Sequence, residues 1–356
     1  MEHSVERYFL GANSARGFSS LYDGFTDPAA GDFLWVIKGG PGCGKSTFMK
    51  RLGAAAEAAG EPVEYIHCSG DPDSLDAVWL PAHKTGYVDG TAPHVIEARY
   101  PGAGALYLDL GAYLDREALR PQLAEIASLN RRYKALYDEA YVLLAAATAL
   151  LPKNLPGLCG PAELAKIEKK AAGLAARELP RQKKEPTVRR RFLSAVSCKG
   201  RLRFDEMAAA LCDRAIVLDN ALGLGHVFLE RFARIAAERG YDAVLCSDPL
   251  EPDKLEAALF PERRLAVLAV EMPEASPLPV CRHLRLDALP GRETLTAQRE
   301  LLRYRKKESA RLLSQGIGLL SEAKALHDAL EAVYRPHVDF SGAQALARQH
   351  IQMLLK

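Results

Sequence analysis

Apolar runs that stop at glycine or aspartate alternate with helix-patterned stretches, and the alternation occurs twice along the chain. Residues 33–37 (FLWVI) have the unbroken apolar pattern of a buried strand. After a glycine-rich stretch, an Ala-rich segment from Lys45 to Ala59 predicts a helix closed by Gly60. Further strands are predicted at Val63–His67 and in the runs ending at Asp89 and Asp109. Residues 116–150 read as one long helix, broken by Pro152, Pro156 and Gly160 before another over 161–178. The second half has the same plan. The apolar run from Ala215 enters a two-glycine bend and then a helical pattern, and RLAVLAVE (264–271) is a further strand. Helices follow over 292–334 and 342–355, broken near Pro336. Each helical segment predicts a hairpin that packs the halves together or closes as a lid. The expected fold class is α/β, with two three-layer α/β/α modules.

The halves are also related residue by residue. YFLGANSARG (8–17) matches RFLSAVSCKG (191–200), with Phe9 falling 183 positions before Phe192. FMKRL (48–52) matches FLERF (228–232), and PDSLDAVWLP (72–81) matches PDKLEAALFP (252–261), both 180 positions apart. A period of this length is an internal duplication. It predicts one module over 1–180, with its hairpin at about 116–178, and a second over 181–356, with its hairpin at about 292–355.

Only the first copy carries a complete chemical motif. Gly39-Gly40-Pro41-Gly42-Cys43-Gly44-Lys45-Ser46 fits G-x-x-x-x-G-K-[ST] between a strand and a helix. Glycines let successive N–H groups point inward as an anion nest, at the N-terminus of a helix whose dipole favours negative charge. Lys45 is placed to reach the β- and γ-phosphates of a nucleotide, Ser46 to ligate Mg²⁺, and Thr47 to add a phosphate hydrogen bond. Cys43 is a small filler, or a thiol acidified by the helix end. A carboxylate for the Mg²⁺ water shell is expected at a neighbouring strand end. Asp89 is preferred to Asp109, because Gly90-Thr91-Ala92-Pro93-His94 after it offers polar groups to a γ-phosphate. Asp71, Asp73 and Asp76 are candidates for holding or deprotonating an acceptor; their alternative is turn and helix capping. In the second copy Gly225, His226 and Ala269 fall at the positions of Lys45, Ser46 and Asp89, so no triphosphate turnover is expected there.

The stretch GGPGCGKSTFMK…HCSGDPDSLDAV…DGTAPH resembles a family of functionally uncharacterised bacterial P-loop ATPase-like proteins with tandem modules. The resemblance covers nearly the whole chain and implies a P-loop NTPase fold and ATP binding, without a substrate. The degraded second loop departs from the family, in which both copies often stay intact.

Composition narrows the function classes. The 356 residues are 48% hydrophobic and 26% charged, with a formal net charge of +2, which argues against a nucleic-acid partner. Seven cysteines without ligand spacing fit a reducing compartment, so the expected location is cytoplasmic. The start MEHSVERYFLGANSARG has no signal-peptide pattern, and the longest apolar run, Tyr141–Leu151, falls short of the roughly 20 residues that span a bilayer. The basic junction 179–192 reads as a solvated linker. Candidate phosphate-reaching arginines are Arg131 and Arg132, and the stretch Arg189–Arg203. The expected function is a Mg²⁺-dependent ATPase with a structural or regulatory second copy. The alternatives are a small-molecule kinase with an unidentified acceptor, or a non-hydrolysing switch or scaffold with a protein partner. The absence of N-K-x-D favours ATP over GTP.

Overall fold

The structure, a computed structural model, describes residues 5–152, 157–271 and 276–355. The first half contributes β1 (Val5–Phe9), the hairpin β2 (Gly11–Ser14) and β3 (Gly17–Ser20), and β4 (Phe33–Lys38). Then come α1 (Lys45–Ala58), β5 (Val63–His67), β6 (Leu75–Leu80), β7 (Thr85–Asp89) and β8 (Ala105–Asp109). Three helices follow: α2 (Arg116–Leu119), α3 (Leu123–Ala149) and α4 (Pro161–Glu178). The second half repeats this with β9 (Val188–Arg191), the hairpin β10 (Ser194–Ser197) and β11 (Gly200–Arg203), an added α5 (Asp205–Leu211), and β12 (Arg214–Asp219). It continues with α6 (Gly225–Glu238), β13 (Ala243–Ser247), β14 (Leu255–Phe260), β15 (Leu265–Val270) and β16 (Val280–Leu284). It ends with α7 (Arg292–Ala297), α8 (Arg299–Tyr334) and α9 (Phe340–Leu354).

The fold is α/β with two six-stranded mixed sheets. Their orders are β1-β5-β6-β7-β4-β8 and β9-β13-β14-β15-β12-β16, the same order with every strand replaced by its repeat counterpart. In each sheet only the third strand, β6 or β14, runs antiparallel to the rest.

The layers differ from the expected α/β/α sandwich. On one face of the first sheet, Ile37, Val78 and Tyr87 pack with Met49 and Leu52 of α1 and with Ala347 of α9. On one face of the second, Ile216, Val267 and Phe260 pack with Phe228 and Phe232 of α6 and with Ile167 and Leu174 of α4. The opposite faces share one apolar cluster, in which Val36, Ile66 and Val88 join Val217, Val244 and Leu268. Helices α1, α4, α6 and α9 therefore cover the outer faces, and the inner faces share one apolar layer that also takes in Tyr22, Phe25 and, from α5, Met207 and Ala208.

The helical segments are likewise not hairpins within each half. α3 pairs along its length with α8, while α4 packs on α6 and α9 on α1, so each half lends its last helix to the other half's sheet. The apolar stripe decides this. Ile167, Ala171, Leu174 and Ala175 lie on one side of α4 and are buried only against the second sheet's helix layer. The packing thus crosses the repeat boundary at 180/181. Two long helices are also shorter than the sequence predicts. Pro121 interrupts 116–150 with a short 3₁₀ turn, and 292–334 is divided at Gln298. Pro156 lies outside the described residues.

Contacts between the halves come in reciprocal pairs, as in a symmetric dimer. Phe9 and its counterpart Phe192 exchange backbone hydrogen bonds of 3.0 and 2.9 Å. Ala15 N–H donates to Leu250 O at 3.1 Å, and its counterpart Cys198 N–H donates to Gly70 O at 3.3 Å. Arg16 pairs with Asp253, and Lys199 with Asp73. The junction 179–192 is not a free linker. Gln182 N–H bonds Arg239 O, Lys184 pairs with Asp242 and Glu262, and Val188–Arg191 is strand β9 beside β13.

Candidate functional site

Strand β4 lies between β7 and β8, with Ile37 in register with Asp89 and Lys38 with Asp109. Three parallel strands therefore end together, and the loop Gly39–Gly44 leaves this carboxyl edge to enter α1. That is where open α/β sheets offer a crevice. Gly42 and Gly44 have φ of +70° and +86°, in the left-handed region that glycine reaches without strain.

Lys45, the first residue of α1, turns back over the loop. Its Nζ donates to Gly39 O at 3.2 Å and Gly40 O at 3.0 Å and lies 3.6 Å from Asp89 Oδ2. Both side chains are largely sheltered, at 12% and 16% exposure, so their attraction is only partly screened. The second Asp89 oxygen, Oδ1, accepts from Thr91 N–H at 2.9 Å and Thr91 Oγ1 at 2.6 Å. Asp109 is exposed and accepts from Gly111 N–H at 2.7 Å. Geometry thus puts Asp89 beside the lysine and gives Asp109 a capping contact. Ser46 Oγ accepts from Leu75 N–H at 2.9 Å, and Thr47 is exposed. Cys43 is buried, and burial pushes its thiol up, against the acidification its position at the helix end suggests. Pro41 occupies the loop's outer turn, half-buried.

No protein-family model, curated protein or solved structure matches the chain.

The three aspartates after β5 separate. Asp73 is exposed in the reciprocal ion pair with Lys199, the counterpart of Asp253 with Arg16. Asp71 accepts from Ser74 Oγ at 3.2 Å and lies 3.4 Å from Lys324 Nζ of α8. Only Asp76 is buried. It accepts from Tyr22 OH at 3.1 Å and lies 3.1 Å from His94 Nε2. Burial disfavours a charged His94 ring, but the Asp76 carboxylate outweighs it and raises the histidine's pKa. Asp76 is lowered, because His94 overcomes the opposing effect of burial. His94 lines a cavity of about 440 Å³ together with Tyr22, Leu34 and Ile96, and its Nδ1 is buried without a hydrogen-bond partner among the described residues.

The second loop is built differently. It has five residues, Asn220–Leu224, where the first has six, Gly39–Gly44. The Asp287 carboxylate accepts from Ala221 N–H at 2.8 Å and Leu222 N–H at 3.0 Å, and Asn220 Oδ1 accepts from Gly225 N–H at 2.9 Å. The protein's own oxygens thus occupy donors that a phosphate would need. Gly225 sits so close to Ala269 that a Cβ on it would lie 2.6 Å from the alanine's methyl carbon. At the matching positions an ion pair in the first half has become a tight apolar contact in the second.

The arginines singled out by sequence are engaged elsewhere or exposed. Arg189 and Arg191 bind Glu64, and Arg189 also binds Glu6. Arg203 pairs with Asp205 at 2.9 Å. Arg131 is exposed, and Arg132 lines a groove between α3 and α8. What sequence reasoning missed is the end of α8. A Cβ on Gly40 would lie 3.2 Å from the Tyr334 ring, and one on Gly42 would lie 3.1 Å from Arg335 Cγ and 3.2 Å from Glu331 O. Nearly 300 residues separate these groups along the chain, and no local pattern announces the contact.

Proposed function

We propose that the protein binds one Mg²⁺·ATP at Gly39–Thr47 and hydrolyses it, with the second repeat as a structural and regulatory partner. The observation that carries this is Lys45 Nζ, held between two loop carbonyls and Asp89 where β4 turns into α1. These are exchangeable contacts. A phosphate entering the loop offers the ammonium a better acceptor than a neutral carbonyl. Ser46 Oγ accepts one hydrogen bond and keeps a lone pair, and Asp89 faces the neighbouring Lys45, so the donor set fits a Mg²⁺ that would keep waters and lean on phosphate oxygens. That ion supplies charge neutralisation for the β- and γ-phosphates. Resemblance of 39–50 and 67–78 to tandem P-loop ATPase-like proteins supports the same reading. Unpatterned cysteines support a reducing, cytoplasmic setting; among the described residues no helix is long and apolar enough to cross a membrane.

Turnover of [γ-³²P]ATP tests the reaction. Free labelled phosphate is the expected product, and no turnover of any kind would reduce the protein to a nucleotide-binding switch. The kinase reading is favoured by one observation, the unpartnered His94 Nδ1 beside a cavity. Label transferred to a small molecule from a metabolite extract would select it.

Stoichiometry is the second test. Equilibrium titration with a non-hydrolysable ATP analogue should give one site per chain, because Asp287 and Asn220 fill the second loop. Two equivalent sites would contradict that. Changing Asp89 to Asn should remove most of the Mg²⁺ dependence, whereas Asp109→Asn should leave it. The reverse pattern would move the metal-facing carboxylate to β8.

A further inference from the structure

We infer that Arg335, at the end of α8, is a phosphate-binding residue of the nucleotide site, supplied to the first repeat by the second. This rests on the reading that Gly39–Thr47 binds ATP.

Placement is the first argument. Arg335 Cγ would stand 3.1 Å from a Cβ on Gly42, so its aliphatic stem lies on the loop itself. The guanidinium begins two bonds beyond that carbon, within reach of an anion held by the loop. Its position is fixed from both sides. Tyr334 covers Gly40, and α9, capped by Asp339, starts beside Gly44, whose Cβ would lie 3.8 Å from the Phe340 ring. α9 then packs on α1, with His350 Nδ1 2.9 Å from Tyr87 OH under the same sheet. The short turn that carries Arg335 is therefore clamped between helices that both rest on the first repeat.

Charge is the second argument. Lys45 can exchange Gly39 O and Gly40 O for a phosphate, but Asp89 beside it offsets its single positive charge, so a triphosphate held in the loop calls for a further cation. Lys324, on the same helix as Tyr334, is shared between Asp71 and Asp328, and Glu331 is paired with His327. Arg335 has no ion pair or side-chain hydrogen bond among the described residues. An exposed arginine whose stem is packed and whose head is uncommitted beside a glycine loop has the geometry for bidentate phosphate recognition. Such a residue at a γ-phosphate stabilises the charge that develops during transfer.

The arrangement also assigns the second repeat a role its own degraded loop cannot fill. Its long helix brings the cation, so nucleotide occupancy at one loop is linked directly to the α3–α8 pair.

The test compares the full-length protein with Arg335→Ala and Arg335→Lys. For each, Mg²⁺·ATP affinity is measured by calorimetry, turnover by phosphate release, and folding by thermal melting. Arg335→Ala should weaken ATP binding about 10- to 100-fold, as expected for loss of a charge-assisted contact. Arg335→Lys should recover part of the affinity but not the full turnover, since a point charge does not reproduce the fork. Unchanged affinity and turnover in a folded Arg335→Ala protein would overturn the inference while leaving the nucleotide site intact. A wild-type protein that binds no ATP would instead sink the nucleotide reading. Should Arg335→Ala melt early, Arg335→Gln, which keeps the packed stem, carries the comparison under the same criteria.

Discussion

Lys45→Ala should lower Mg²⁺·ATP affinity by about 100-fold, the factor expected when one charge-assisted contact worth about 3 kcal/mol is lost. The lysine holds the loop from within, bonding Gly39 O and Gly40 O and facing Asp89. Alanine removes the cation that the β- and γ-phosphates would meet and leaves Asp89 without its ion pair, so bound phosphate meets an uncompensated carboxylate. Both effects act in the same direction. The second repeat is a natural version of this experiment, with Gly225 and Ala269 in place of the lysine and the aspartate. Isothermal calorimetry on the folded variant decides the matter, and wild-type affinity would remove Gly39–Thr47 from the assignment.

Arg191→Met should cost about 3 kcal/mol of unfolding free energy, the lower end of what breaking a buried ion pair costs. Glu64 on β5 and Arg191 on β9 are each only 3% exposed, and they tie the second strand of the first sheet to the edge strand of the second, with Arg189 bridging to Glu64 and to Glu6 on the edge strand β1. Methionine keeps the volume but strands Glu64, with only the partial support of Arg189 at 3.3 Å. Burial alone would push the Glu64 pKa up; Arg191 and Arg189 reverse this and lower it. A depressed folded-state pKa contributes stability that is present above the ordinary carboxylate range and is lost as pH falls through the lowered value. Wild-type stability should therefore drop in acid more steeply than that of Glu64→Gln. Urea denaturation across pH measures both quantities. A cost under about 1 kcal/mol for Arg191→Met would show that the sheets are held together by their shared apolar face instead.

The sequence by itself determined the strands, the duplication and the glycine loop. Strand 33–38 is legible from its unbroken apolar run FLWVI, 63–67 from the strand-prone Val63, Tyr65 and Ile66 around Glu64, and α1 because its Ala-rich run is bounded by Gly44 and Gly60. Matched segments 180 to 183 positions apart imply matched folds, and the strand orders of the two sheets are the same. The loop's chemistry is local too, since nest, lysine and hydroxyl lie within a few residues. Tertiary structure alone decided what depends on pairing between distant segments. An amphipathic helix specifies that one side is buried, not against what; so α4 and α9 could be drawn from the chain while their exchange between sheets could not. The same reason separates Asp76, buried with His94, from Asp71 and Asp73, although all three lie within six residues. It also hid Asp287 under the second loop and Arg335 over the first. Both are ordinary polar residues in sequence, given a role only by a chain that folds back on itself.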